Sequence, residues 1–280
     1  MRNYFWEQMQ TQGFVFLSGA PGVMVALHCH QEIEVNLITR GEMTYLLGAR
    51  CLQLPAGRLT AFWAAIPHRV IFVSPEAEYY CMHLPLSLFL RWQLPGEFTS
   101  RMLHGEALYE RDDCWFLRDL EMFGQWRSDL RSLGPDTCPI ILLELEARLR
   151  RMAGRICGTQ EAASDAQDAG SANRAIGKIE QVMAYISEHY REPITMPDIA
   201  AAVHLHPGYL MTLFRERCGI TLADYVTQFR LSQAQRLLAT TDNRVVDIAF
   251  ESGFGSVSQF YDRFTRSCGH TPREYRSMQR

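Results

Sequence analysis

Asp247-Ile-Ala-Phe-Glu-Ser-Gly-Phe254, then Ser256-Val-Ser-Gln-Phe-Tyr-Asp-Arg-Phe264, then Cys268-Gly-His-Thr-Pro-Arg-Glu-Tyr275 repeat a pattern already present earlier in this chain. Ile199-Ala200, Phe214, Cys218-Gly219, Thr221 and Tyr225 recur as Ile248-Ala249, Phe264, Cys268-Gly269, Thr271 and Tyr275, offset by 49 residues at the first pair and 50 at the rest. One supersecondary unit is used twice. In each, a short helix opening on Ile-Ala leads through a turn to a second helix with strong start signals. His206-Pro207 puts proline at a first helical position, and Ser256-Val-Ser-Gln259 reads as a capping box. Two short helices joined by a tight turn make a helix-turn-helix, whose second helix fits a major groove about 12 Å wide.

Between the units, Leu222 to Ala239 reads as an amphipathic helix with Val226, Phe229, Ala234, Leu237 and Leu238 turned inward. At about 1.5 Å per residue it spans roughly 27 Å, a rigid spacer for two recognition helices in major-groove segments about 34 Å apart. Tandem helical hairpins also build solenoids, but those need three or more units and this chain has two.

Charge alone does not make the argument. Residues 173–280 carry 13 basic against 11 acidic side chains, net +2, while residues 1–172 carry 15 against 20, net −5. That tail is only weakly basic, so the DNA-binding reading rests on pattern. No apolar run approaches the roughly 20 residues of a membrane span, and the first residues lack the basic-then-apolar layout of a signal peptide, so a cytoplasmic protein without membrane contact is expected. Eight cysteines without a Cys-x-x-Cys pair indicate neither a zinc ribbon nor a disulfide framework.

Residues 158–172 hold small and acidic residues with no large apolar one, the composition of a linker. It divides an N-terminal domain, 1–157, from the helical domain, 173–280. In the front domain, Val23 to Leu27, Ile33 to Thr39, Met43 to Leu47, Leu59 to Trp63 and Tyr79 to Leu84 are strand-like runs broken by Pro and Gly, the spacing of a small barrel or sandwich. Asp113 to Leu133 and Cys138 to Ile156 have helical spacing and are expected to cover the barrel or pair with another copy. Ile140, Leu142, Leu143, Leu145 and Leu149 motivate a homodimer.

Residues 174–280 resemble the AraC/XylS family of transcription regulators, on Asp247 to Phe254, Ser256 to Phe264, Gly269-His-Thr-Pro272 and Tyr275-Arg276. Thr212 and Asp262 stand where many members carry Arg. The front half resembles the cupin-like effector domain of the same family. Glu34-Val-Asn36, Phe62-Trp-Ala64 with Pro67-His68, and Leu84 to Leu90 are similar to a sugar-operon regulator within it. The resemblance implies an activator of promoter DNA, contact with RNA polymerase, and a small-molecule effector such as a sugar or glycoside. The fold expected is α+β: a cupin-like β-barrel with flanking helices, followed by an all-α domain of two helix-turn-helix units.

Gly22, His28, His30, Glu34 and Gly41 match the spacing of a first cupin motif, and Gly57 followed eleven residues later by His68 matches the second, with Trp63, Ala65 and Phe72 replacing its usual Pro, Gly and Asn. Residues 28 and 30 of a strand point the same way, and Glu34 follows on that face. His28, His30, Glu34 and His68 are therefore candidate ligands for Zn, Ni, Fe or Mn, or else polar groups lining a pocket. His30, Glu34, Trp63 and His68 are the candidate effector contacts. Trp92, Trp115 and Trp126 read as core, His83 and His104 as structural, and Cys29 as turned away from His28 and His30.

For DNA, Leu210, Leu213, Phe214, Phe260 and Phe264 should face the core. That turns Gly208, Met211, Thr212 and Arg215 outward in the first unit, and Val257, Ser258, Tyr261 and Asp262 outward in the second, beside the cap Ser256. Arg215, Arg266 and Arg273 are placed for phosphates. The alternative is a metal-dependent cupin enzyme, an isomerase or oxygenase, with a DNA-tethering tail.

Overall fold

A computed structural model describes residues 6–10, 14–48, 50–110, 113–156 and 171–279, and the chain is α+β. Of the expected linker, residues 158–170 lie outside the described residues, and Ser171 already opens a helix.

The strands are β1 (Trp6–Gln10), β2 (Val15–Gly19), β3 (Ile33–Arg40), β4 (Glu42–Leu47), β5 (Arg50–Pro55), β6 (Leu59–Trp63), β7 (His68–Val73), β8 (Glu78–Leu84) and β9 (Leu108–Tyr109). They pair antiparallel in two sheets, β1-β2-β8-β3-β6-β9 and β5-β4-β7. Register assigns the faces. Glu34 sits opposite Phe62 on one side and His83 on the other, so these three share a face of the larger sheet. Val35, Ala61, Met82 and Phe16 share the opposite face. The ring of Phe62 meets Tyr45 of β4 at 5.7 Å between centroids, which identifies the Glu34 face as the interior between the sheets.

The other face is covered by helices. Leu86–Arg91 forms α1, Gly96–Leu103 α2, Phe116–Ser132 α3 and Cys138–Ile156 α4. Phe123 of α3 stacks on Phe16 and Tyr80, and Leu145, Leu149, Met152 and Ile156 of α4 are buried in the same core. The two long helices thus cover the sheet, and Leu145 and Leu149 are core rather than candidates for a dimer face. Arg148 of α4 is buried with Asp119 of α3 (Nε–Oδ1 2.5 Å) and with Glu110, tying these elements together through one guanidinium.

The C-terminal domain runs α5 (Ser171–His189), α6 (Met196–Ala202), α7 (Pro207–Cys218), α8 (Leu222–Thr240), α9 (Val245–Glu251), α10 (Val257–Cys268) and α11 (Pro272–Met278). Start signals behave as the sequence suggests. His206 Nδ1 accepts from the Gly208 amide, Pro207 opens α7, and the Ser256 hydroxyl accepts from the Gln259 amide. The reciprocal Gln259 bond of a full capping box does not form; full boxes occur instead at Thr195/Asp198 and Thr271/Glu274. Both second helices end on a left-handed glycine, Gly219 and Gly269. The change of offset from 49 to 50 is one extra residue in the second turn: Leu205 N–Ala200 O and Phe254 N–Ala249 O are equivalent bonds, after which Gly255 is inserted. The spacer α8 buries Val226, Phe229, Ala234, Leu237 and Leu238 as expected. No helix among the described residues is long and apolar enough to cross a membrane.

One expected strand is absent. Val23 to Leu27 is an extended arm that touches the smaller sheet without joining it as a strand: Met24 N donates to Val70 O of β7, while Leu27 N donates away from the sheets to Cys218 O at 2.7 Å. Its Leu27 side chain, with Leu46 of β4, is buried in the core of the first helix-turn-helix unit.

Candidate effector site and nucleic-acid interface

Glu34 is the centre of the interior site. It projects from β3 and is buried, with its Oε1 2.8 Å from His30 Nε2, 3.3 Å from His68 Nε2 and 3.6 Å from His83 Nε2. Asn36, two residues along the same face, donates to Oε2 at 3.3 Å. His28 and His68 are linked by a mutual backbone bridge, and their rings lie 4.2 Å apart. His28, His30, Glu34 and His68 therefore converge as the spacing implies, each offering a donor atom within 4.8 Å of the others.

His83 joins them, although its isolation in sequence suggested a structural role. Its register against Glu34 on β8 brings it there, and only strand pairing reveals that. Trp63 goes the other way. It pairs with Ile33, on the face opposite Glu34, and is fully buried in the core. Phe62 takes the place expected of Trp63, its ring 5.2 Å from that of His68.

The electrostatics follow from a carboxylate enclosed by imidazoles. Burial works against a charged His30, but hydrogen bonds to Glu32 and Glu34 outweigh it and raise His30 to about 9. Burial likewise opposes ionised Glu34, yet its neighbours His68 and His30 hold it well below the usual carboxylate range. Burial, reinforced by His68, lowers His28 to about 4, and burial lowers His83 as well. The hydroxyls of buried Tyr45 and half-buried Tyr79 are pushed up by desolvation, with Glu34 adding to it in Tyr45 and Cys81 and then Glu34 in Tyr79. With Asn36 and Thr60, these groups give the interior a polar lining suited to a hydroxylated ligand.

On the helical domain, Leu210, Leu213, Phe214, Phe260 and Phe264 are buried, so the second helices turn their other sides outward. Met211, Thr212 and Arg215 are exposed on α7, with Gly208 half-buried; Ser256, Ser258, Asp262, Arg266 and Arg273 are exposed on α10, its cap and α11. Val257 and Tyr261 are a correction: both are half-buried and pack against the unit's core. Gln259 and Arg263 are exposed where those two are not, and Tyr209 is exposed on α7. They were missed because the sequence reading took the polar arc of α10 to lie about one residue away from where it does. Arg266 holds Asp262 in a two-bond pair at 2.9 and 3.1 Å, which its assignment as a simple phosphate contact did not include.

A polar-lined β domain joined to paired helix-turn-helix units defines a ligand-responsive DNA-binding regulator. Residues 14–113 match the AraC-like ligand binding domain and residues 199–278 match the helix-turn-helix domain. The chain belongs to the AraC family of transcription regulators. It is similar to the melibiose operon regulatory protein of Escherichia coli K12, 27% identical over 265 residues, covering 92% of this chain and 86% of that protein. It is similar to the transcriptional activator RhaS of Yersinia pestis, 32% identical over 121 residues, or 43% of this chain and 41% of that one. Among solved structures, ToxT of Vibrio cholerae aligns over 99% of this chain and 98% of its own at 16% identity and TM-score 0.39. The DNA-binding domain of AdpA, in complex with a target DNA, aligns over 35% of this chain and 87% of its own at 31% identity and TM-score 0.34. The matched families and relatives are regulators, so the enzyme alternative is set aside.

Proposed function

We propose that this chain activates transcription in the cytoplasm by placing its two second helices in successive major grooves of promoter DNA, under control of a sugar or glycoside held between the sheets. The observation that carries this is the convergence of Glu34, Asn36, His30, His68 and His83 on one interior face, in a domain docked on the first helix-turn-helix unit. A pyranose presents hydroxyls that pair with such mixed donors and acceptors. The similarity to the melibiose operon regulatory protein supports a sugar over other small effectors. RNA polymerase is the partner that activation requires.

A homodimer is part of this reading. Ile140 and Leu143 of α4 are 56% and 67% exposed, one turn apart on the side facing away from the core, and Leu133 just before it is 64% exposed. A second copy of the same face covers them. Sedimentation of the full chain at tens of micromolar should give a dimer that Leu143→Asp dissociates; a wild-type monomer contradicts this part.

The test of function is selection of random DNA duplexes by the purified chain, repeated with a panel of mono- and disaccharides. One enriched sequence motif is expected, with an affinity that at least one α-galactoside or related sugar changes. Enrichment of no motif contradicts the DNA reading. Calorimetry that gives no heat with any sugar at millimolar concentration removes the sugar assignment.

A further inference from the structure

His68 is held in one orientation at the heart of the cluster. Its Nδ1 lies 2.9 Å from the carbonyl oxygen of Ile66, an acceptor only, so Nδ1 donates to it. Nε2 is then the ring atom turned into the cluster, with Glu34 Oε1 at 3.3 Å. His68 is fully buried, and Nε2 has no hydrogen-bond partner. Nε2 and the Glu34 carboxylate thus present two ligand-type atoms to one point of the buried interior, and His28 and His30 bring two more within 4.8 Å. His30 shows the complementary feature. While Nε2 faces Glu34, Nδ1 is 2.9 Å from Glu32, the carboxylate support that orients a metal-bound imidazole.

The second observation concerns where these ligands are mounted. His28 and His30 lie on the arm, and the residues flanking them hold the ends of both second helices. Leu27 N donates to Cys218 O at 2.7 Å, and Gln31 Nε2 donates to Cys268 O at 3.2 Å. Cys218 and Cys268 are the equivalent, last residues of α7 and α10. Arg69, next to His68, donates to the Arg217 carbonyl as well as to Met24 O. The fit is close: a Cβ on Gly219, at φ +74°, would lie 2.6 Å from Ala26 Cα.

We propose that His28, His30, His68 and Glu34, with His83 beside them, bind one divalent transition-metal ion, and that the ion fastens the arm against the ends of both recognition helices. Ligands about 2.1 Å from one ion sit about 3.4 Å apart in a tetrahedral site and at most about 4.2 Å apart, and these donor atoms already lie within 4.8 Å of one another, so binding closes them further. Imidazole with one carboxylate suits Zn, Ni, Fe or Mn. This rests on the regulatory reading above only in its consequence for DNA; the site and its mechanical link stand on the geometry of the arm. Closing of the ligands draws Leu27 and Gln31 with them, so occupancy sets how rigidly α7 and α10 are held relative to each other.

The test uses the full chain after dialysis against a chelator, titrated with Co²⁺ for its visible absorption and with Zn²⁺ for calorimetry. One ion per chain is expected at micromolar or tighter affinity, weakened by at least about tenfold in His30→Gln and in Glu34→Gln. Hydrogen exchange with and without Zn²⁺ reads the link. The Leu27 amide and the segment 216–220 should exchange about tenfold or more slowly with the ion bound. Gln31→Ala should bind the ion normally and lose the added protection at 266–270. Absence of stoichiometric binding overturns the site and leaves the DNA selection experiment untouched. Stoichiometric binding with unchanged exchange at Leu27 overturns the link.

Discussion

The turn of the second unit depends on a single glycine. Gly253 adopts φ +83°, and a Cβ there would sit 2.1 Å from the Tyr190 carbonyl oxygen, which also accepts from Arg230 at 2.8 Å. That carbonyl is backbone and cannot step aside, so Gly253→Ala should cost about 2–4 kcal/mol, read as a lowered unfolding midpoint. An unchanged midpoint would show that the packing of this turn on the end of α5 is misplaced. The equivalent residue of the first unit is His204, at φ +54° and exposed. A non-glycine residue there carries a steric cost of about 1–2 kcal/mol, partly offset in glycine by its freer unfolded chain. His204→Gly is therefore expected to raise the midpoint slightly in a thermal melt, the opposite sign to Gly253→Ala. A clear loss of stability in His204→Gly would refute this account of the turn.

At the scale of elements, α10 carries the exposed polar arc Ser258, Gln259, Asp262, Arg263 and Arg266. Gln and Arg make paired bonds to adenine and guanine edges, so Gln259→Ala and Arg263→Ala should change preference at particular base pairs by about 1–3 kcal/mol each. Asp262 opposes phosphates and occupies Arg266, so Asp262→Asn should tighten binding to every sequence by a few fold at low salt and steepen the salt dependence. Anisotropy titrations against a library of site variants separate these effects. In the front domain, Arg148→Met would leave Glu110 and Asp119 buried without their cation. A loss of about 3–5 kcal/mol is expected from denaturant titration of that domain's transition. The helix-turn-helix units were legible because their signals are local: caps, Ile-Ala starts, Cys-Gly ends and an internal copy to compare. The convergence of His28, His30, Glu34 and His68 was legible by spacing along the chain. His83, Trp63 and the Arg148 cluster were not, because strand register and helix docking decide which face a side chain joins, and neither is written within ten residues of it. Val23 to Leu27 misled for a related reason: Leu27 is buried in the other domain's core and Met24 packs on the front one, while Val23 and Val25 are exposed, so the run is not a paired strand.

Across the whole molecule, an interior site, an arm and two helix ends form one continuous structure. The outer side of the smaller sheet contributes Leu46, and the arm contributes Leu27, to the core of the first unit, while Gln31 reaches the second. The two units are themselves joined by α8, about 28 Å long for its 19 residues, and by Arg230, which donates to the Tyr190 and Glu192 carbonyls. Such a frame links the ends of both second helices through one continuous set of contacts. The central claim is that one chain reads two neighbouring grooves. Hydroxyl-radical footprinting of the selected duplex tests it most directly: a single chain is predicted to protect two patches on one face, centred about one helical turn apart, and both patches should weaken together in Gly253→Ala. Protection of a single groove segment by a chain shown to be folded would contradict it.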